Sequence, residues 1–382
     1  MRKTFEELDA LCKKFNTDRL WSWSRVNCVH NSLYEYFLKY IKNVKPDRDN
    51  SIYTVTGGIC HDIIEKFYNG EISYEQMIDD FNDGWITAYE IGELKFDRSD
   101  SDKNKKIADK YYKDLAHFFT NHKKLPYKVQ LEQFVTVKIG NEYYQGYIDC
   151  CYKDDDGNYV ILDWKSSSIY KGDKALNECG QLCLYAMALH QNGIPYNKIK
   201  IAWDFLKYQC VTVESKNGEK KIREIERSEL GNSLKANAKM WLKHFGYEDK
   251  SEEYLSALEE NNSISALPVE VQEKYKFDDC IVYVDLTDDL IKHWKNYIIN
   301  TTKEIREKEK EYNNTINEQI WWEDEESVKK QSYYFSNLCS YSANLHKPYG
   351  AYLDKFNMVK NILDAKKQKV EDEDDMSWLD SL

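Results

Sequence analysis

No CxxC pair occurs among the ten cysteines: Cys150 and Cys151 are adjacent and Cys179 and Cys183 stand four apart, which disfavours a zinc ribbon. The chain shows no signal-peptide pattern, no apolar run long enough to span a membrane and no regular disulfide spacing. Reduced thiols in a soluble, cytoplasmic protein with no membrane partner are the expectation. Proline is scarce, with 5 in 382 residues, and the accompanying richness in Lys, Asn, Tyr, Ile and Asp hints at an AT-rich genome without bearing on mechanism. An excess of positive charge is also missing. The formal net charge of -12 has the wrong sign for gripping a polyanion through clustered Lys and Arg. Distribution tempers that objection, because Glu371, Asp372, Glu373, Asp374, Asp375 and Asp380 crowd six negative charges into one short tail. The body of the chain has room for a local basic groove.

What is present is a chain 42% hydrophobic and 14% aromatic, enough to bury a core of one large or two modest domains. Residues 1–125 read as helices, with Leu33, Phe37, Ile41 and Ile59, Ile63, Phe67 at helical spacing. Short β-rich runs follow at 129–139, 143–152, 159–164 and 199–206, two of them joined by a Lys153 to Asn158 turn containing Asp-Gly. A helix from Ala175 to Gln191 ends at Gly193 and Pro195. The fold class expected is therefore α/β (α+β): a small mixed β-sheet core over 126–215 flanked by helices, with helical additions at 1–125 and 216–365. Within the latter, 286–310 reads as a long charged helix, and the tail 366–382 reads as disordered in isolation.

The stretch richest in chemistry is Gly146-Tyr-Ile-Asp149, then Val160-Ile-Leu-Asp163-Trp-Lys165-Ser166-Ser167. Asp163 and Lys165 are two apart on a strand and leave the same face, and Asp149 lies across the hairpin within several ångströms. Two carboxylates and an ammonium converge in that arrangement. Hard oxygen ligands of this kind hold Mg²⁺ or Mn²⁺, which polarises a phosphate and acidifies a bound water, while Lys165 orients that water or helps deprotonate it. An isolated D-x-K is, however, more often a surface salt bridge closing a hairpin.

The order G-x-I-D, hairpin, apolar strand ending D-x-K-S-S, then a helix bearing Gln181-Leu-Cys-Leu-Tyr185, resembles the RecB-like branch of the PD-(D/E)xK nucleases, which includes AddB-like, Cas4-like and many phage exonucleases. The resemblance implies that Asp149 and Asp163 bind metal, that Lys165 is catalytic, and that Gln181 and Tyr185 face DNA beside Ser166 and Ser167. Upstream, Gly57-Gly58-Ile-Cys-His61-Asp-Ile-Ile-Glu65 matches the family's G-x-x-H-x-x-x-E helix, whose histidine adds a nitrogen ligand and tilts preference toward Mn²⁺. Glu65 and Glu132 are possible supporting carboxylates, for which a structural salt bridge is an equal reading.

Trp21-Ser-Trp-Ser24-Arg25 resembles the S-x-S-R motif of iron–sulfur members, and Cys339-Ser-Tyr-Ser342 resembles their terminal cysteine motif. Ser32 and Ser342 stand where cluster cysteines would be, which speaks against an iron–sulfur cluster; packing of the two chain ends is expected to replace it. The acidic tail ending in Trp378 and Leu379 resembles partner-docking tails, implying a recombinase, a single-stranded DNA-binding protein or a helicase as partner, with a DNA mimic that occupies a basic channel and a plain solubilising tail as the alternatives. The resemblance implies an exonuclease of phage or bacterial recombination, repair or replication. The alternatives are a structure-specific endonuclease on the same site and a non-catalytic DNA- or partner-binding protein.

Overall fold

The run Tyr159-Val-Ile-Leu-Asp-Trp-Lys165 is nearly unbroken in apolar character, the pattern of a strand covered on both faces. In the computed structural model, which describes residues 2–48, 51–98, 100–343 and 345–355, it is the central strand of one mixed sheet. The acidic tail and its partner-docking reading lie outside the described residues.

Among the described residues the strands are β1 (Trp21–Ser22), β2 (Gln130–Ile139), β3 (Glu142–Lys153), β4 (Tyr159–Lys165), β5 (Ile199–Glu214), β6 (Lys220–Glu226) and β7 (Tyr275–Val284). β3 runs antiparallel to β2 and to β4. The β3–β4 turn closes as its chemistry predicts, with Gly157 at φ 75° and the Asp154 side chain accepting from the Asn158 backbone N–H at 2.8 Å. β4 and β5 are parallel, which requires a crossover, and the Gly180–Gln191 helix supplies it. β7 covers one edge of β5 along most of its length, while β4 and then β6 share the other.

Two strands modify the expectation of a helical 216–365, at whose start the polar 215–221 stretch around Gly218 already reads as a hairpin tip, the place where β5 turns into β6. β6 is a mostly exposed ribbon of Lys, Arg and Glu, held by ladder hydrogen bonds to β5, so it carries no burial pattern to read. β7 interrupts its apolar run with Asp278 and Asp279, and Asp279 pairs with the buried Arg227 at 3.0 Å. β5 also extends eight residues past the Leu206 expected as its end. The expected 286–310 helix is present and longer, spanning Asp288–Thr315 under a Thr287 cap.

Helices cover both faces. Val160, Leu162 and Trp164 of β4 pack into a cluster with the Ile52–Asn69, Tyr74–Trp85 and Ser101–Asn121 helices. Ile161 faces the other way, onto the Gly180–Gln191 and Asp288–Thr315 helices. A third cluster joins the far half of β5 to the Leu230–His244 and Ser251–Glu260 helices. The expected Ala175–Gln191 helix is split at Cys179, because Trp23 and Trp294 cross there. A side chain at Gly180 would put its Cβ 2.1 Å from Trp23 and 2.7 Å from Trp294.

The two chain ends do meet, but not through apolar packing alone. Ser32 Oγ donates to Glu323 at 2.6 Å, the Tyr34 N–H donates to the same carboxylate at 3.1 Å, and Tyr349 donates to its other oxygen at 2.5 Å. Tyr334 and Cys339 donate to Glu35, Ser342 bonds Asp47, and Tyr34 stacks on Tyr349 at 3.7 Å.

Candidate active site

Strand register puts three carboxylates in a row. Cys150 pairs with Leu162 across β3 and β4, so the next step toward the catalytic end sets Asp149 opposite Asp163. On the other edge of β3, Leu131 pairs with Cys150 and Gln133 with Ile148, which leaves Glu132 opposite Asp149. Glu132 takes φ 46°, a left-handed conformation that is uncommon for a residue with a side chain and belongs to bulges and functional sites. Neighbouring strands lie roughly 4.8 Å apart, so the row spans three strands in about 10 Å.

Further groups close on this row. Lys165 Nζ lies 2.8 Å from Asp163 Oδ2. His61 reaches in from the Ile52–Asn69 helix, with Nδ1 3.4 Å from Asp149 Oδ2 and Nε2 2.8 Å from the Trp164 carbonyl. Gln181 Nε2 donates to the Tyr185 hydroxyl at 3.0 Å, one helical turn along. Tyr185 lies over Gly146 so closely that a Cβ there would stand 2.5 Å from its ring. Gly146, inside β3, thus leaves the room that the Tyr185 ring occupies.

Asp163 is 3% exposed, and Asp149 Oδ2 and Asp163 Oδ2 are both buried without a hydrogen bond of good angle, the first lying 3.4 Å from the His61 ring and the second 2.8 Å from the Lys165 ammonium. The two carboxyls lie within hydrogen-bond reach of each other. Burial and then the Asp163 carboxylate hold Asp149 well above the usual carboxylate range, against the pull of Lys165. For Lys165, burial favours loss of the proton, but Asp163, Tyr170 and Asp149 outweigh it and the ammonium is held above its ordinary pKa. Burial lowers His61, more than Asp163 raises it, so its imidazole is neutral and able to ligate. Burial likewise raises Tyr185, which keeps its hydroxyl as a donor.

Two carboxyls at this spacing repel one another when both are ionised, and the single Lys165 ammonium offsets only part of that charge, since Asp149 stays raised beside it. The hard oxygens of Asp149 and Asp163, the Trp164 carbonyl and the neutral His61 nitrogen fit Mg²⁺ or Mn²⁺. Among the described residues no three His, Cys, Asp or Glu side chains stand at the spacing of a closed metal cage. His61 is turned onto the Trp164 carbonyl instead.

The remaining sequence candidates fall differently. Glu65 makes no hydrogen bond or ion pair with this cluster among the described residues. Ser167 is buried, with its hydroxyl 3.4 Å from the Ser168 carbonyl and from the Tyr170 hydroxyl, and Ser166 Oγ faces Gly57 and Tyr111. Sequence reading missed Arg2, whose Nε lies 3.0 Å from Glu132 Oε2 and whose guanidinium sits over Tyr147, 5.4 Å from the ring centroid. It also missed the Trp164 carbonyl, a backbone group with no residue-type signal.

A family model described as the PD-(D/E)XK nuclease superfamily matches residues 20–315, which takes in His61, the carboxylate row, Lys165 and Tyr185. No individually curated protein matches the chain. Members of that superfamily are typically nucleases that use divalent metals. With more than half of its length matched, and with Asp163-Trp-Lys165 supplying the D-x-K of the family's name, the chain belongs to the PD-(D/E)XK nuclease superfamily.

Proposed function

We propose that this chain is a metal-dependent deoxyribonuclease of the RecB-like branch that acts as an exonuclease on DNA ends in recombination, repair or replication. The observation that carries the reading is the in-register Glu132, Asp149 and Asp163 row with Lys165 beside it, two of whose buried carboxylate oxygens lack a hydrogen bond. Mg²⁺ or Mn²⁺ bound there supplies Lewis acidity and an acidified water. Asp149, Asp163 and the Trp164 carbonyl, with His61, hold that ion. Lys165 is kept as an ammonium, so its part is to orient the phosphate and offset the charge that develops on it, rather than to take a proton. Tyr185 donates its hydroxyl toward the same space, and Gln181 fixes its direction. The exonuclease assignment rests on the likeness to RecB-like enzymes.

The test is degradation of end-labelled linear DNA beside closed circular DNA, with Mn²⁺ or Mg²⁺, for the wild type and for Asp163→Ala and Lys165→Ala. The expected result is metal-dependent loss of linear DNA only, reduced about a thousandfold in both variants. Cleavage of the circle would reassign the chain as an endonuclease, and binding without cleavage would favour the non-catalytic alternative.

A further inference from the structure

Residues 2–15 form an arm that the family match, which begins at residue 20, does not include. A capping box starts its Phe5–Phe15 helix: the Thr4 hydroxyl accepts from the Glu7 N–H at 3.3 Å, and the Glu7 carboxylate accepts from the Thr4 N–H at 2.8 Å. The helix buries no residue, and Leu8, Leu11, Cys12 and Phe15 on its inner side are only half-buried. Contacts at its two ends hold it in place. Phe15 stacks on Tyr143 of β3 with ring centroids 4.5 Å apart. At the other end the Lys3 N–H donates to the Tyr147 hydroxyl at 2.7 Å, Lys3 Nζ lies 5.3 Å from the centre of the Phe134 ring, and Arg2 pairs with Glu132. The arm thus lies along β2 and β3, and its start stands at the carboxylate row.

Two side chains at that start are turned to solvent. Phe5 is 89% exposed, more than any other large apolar side chain among the described residues, and the Arg2 side chain is 74% exposed although it is paired. A guanidinium carries five N–H donors. Glu132 takes two of them, at 3.0 and 3.5 Å, and the rest make no hydrogen bond among the described residues. They are available for the forked grip that Arg makes on a phosphate, and the same pairing offsets the charge by which Glu132 would repel one. Arg2 and Lys3 are matched in number by Glu6 and Glu7, and Glu7 is already engaged by Lys3 at 2.9 Å. The arm therefore attracts DNA by the placement of its groups and not by net charge. A single exposed apolar side chain is ordinary on a surface. A phenyl ring next to a phosphate-binding cation at the rim of a cleavage site is a different matter, because cations that hold the backbone and aromatic rings that stack bases are the make-up of single-strand binding platforms. Phe5 follows Arg2 by three residues, so their Cα atoms are at most about 11 Å apart. That is the length of about three stacked nucleotides.

We propose that residues 2–5 grip an unpaired strand of the substrate DNA beside the cleavage site, Arg2 holding a phosphate and Phe5 stacking on a base within about three nucleotides of it. The identity of the strand rests on the deoxyribonuclease reading above; the grip itself is a binding property that does not depend on cleavage.

Fluorescence anisotropy of labelled oligothymidylate with the full chain, Ca²⁺ replacing Mg²⁺ or Mn²⁺, tests this. Phe5→Ala and Phe5→Leu should each weaken binding about tenfold, since Leu keeps apolar bulk but has no ring to stack. Phe5→Trp should bind as the wild type does or more tightly, and Arg2→Ala should lose about threefold. Relaxed closed-circular duplex, which offers no unpaired base, should compete equally with all the Phe5 variants. Because Phe5 is so exposed, thermal melts of its variants should match the wild type. No binding of oligothymidylate by the wild type, undiminished binding by Phe5→Ala, or wild-type binding by Phe5→Leu would overturn the proposal, leaving Phe5 as a bare surface ring or a contact for another protein. Metal-dependent cleavage of linear DNA, assayed in parallel, reads the enzyme assignment separately. A wild type that cleaves while Phe5→Ala binds normally sinks the grip alone; a wild type that binds but does not cleave, with binding lost in Phe5→Ala, sinks the nuclease and upholds the grip.

Discussion

Two of the regions in which this molecule buries carboxylates do so in opposite ways. Glu323, 4% exposed, accepts hydrogen bonds from the Ser32 hydroxyl, the Tyr34 backbone and the Tyr349 hydroxyl. Asp149 and Asp163 are set against one another, and each keeps an oxygen with no well-aimed donor. Burial raises the pKa of Glu323 as it raises that of Asp149, so a raised pKa alone does not tell a scaffold from a site. The difference is satisfaction. The carboxylate fully supplied with donors joins the chain ends, and the undersupplied pair is the one to which the proposed function assigns a cation. The family match, which spans 20–315, includes the second region and stops short of Glu323.

The sharpest way to break this comparison is to remove Glu323. Glu323→Ala strands two hydroxyls and a backbone N–H, so urea unfolding should show a loss of about 3 kcal/mol, while cleavage per folded molecule stays as in the wild type. Loss of cleavage in a folded Glu323→Ala protein would merge the two regions into one functional unit.

Metal should separate them next. Mn²⁺ at roughly a hundred times its Kd should stabilise the wild type by about 2.7 kcal/mol, read as a rise in Tm. Glu323→Ala should keep that increment, and Asp163→Ala should lose it.

A smaller effect comes from pH. Burial raises the folded pKa of Glu323 above its ordinary 4.5, so the stability this group contributes is complete below that value and declines as pH rises through the folded pKa. The neutral variant Glu323→Gln should therefore fall short of the wild type by less at about pH 8 than at about pH 5. A gap that widens with pH would reverse the sign of the argument.

Smallest in stability is Arg2→Ala. Arg2 is 74% exposed in its pair with Glu132, so its removal should cost under about 0.5 kcal/mol. Because Glu132 lies opposite Asp149, cleavage should still weaken about threefold, through KM rather than kcat.

Much of the site was legible because period-two geometry is simple. Asp163 and Lys165 had to share a face, the Asp-Gly turn set Asp149 across from Asp163, and Gln181 and Tyr185 had to share a helix face. His61 was legible from a motif rather than from physics, since nothing local predicts that the Ile52–Asn69 helix ends its path against Trp164. Arg2 was invisible for the same reason: its partner is 130 residues away, and only tertiary structure joins them. The hairpin tip at 215–221 was legible from its polar residues and Gly218, but the length of β6 was not, because exposed ladder pairing leaves no hydrophobic alternation, and β7 was missed because Asp279 owes its place to Arg227. The end-to-end packing was foreseen as apolar, and its carboxylate hydrogen bonds were not, since such bonds depend on which hydroxyls arrive from distant segments.

The most direct test of the central claim is to measure unfolding free energy and DNA cleavage together in Asp163→Asn. Asp163→Asn relieves the repulsion on Asp149 but takes from the Lys165 ammonium its nearest counter-charge, so the two effects oppose each other and only a small change in stability is expected, with metal-dependent cleavage lost. A variant that is markedly destabilised yet cleaves in proportion to its folded fraction would show that Asp163 serves the scaffold, as Glu323 does, and would contradict the account.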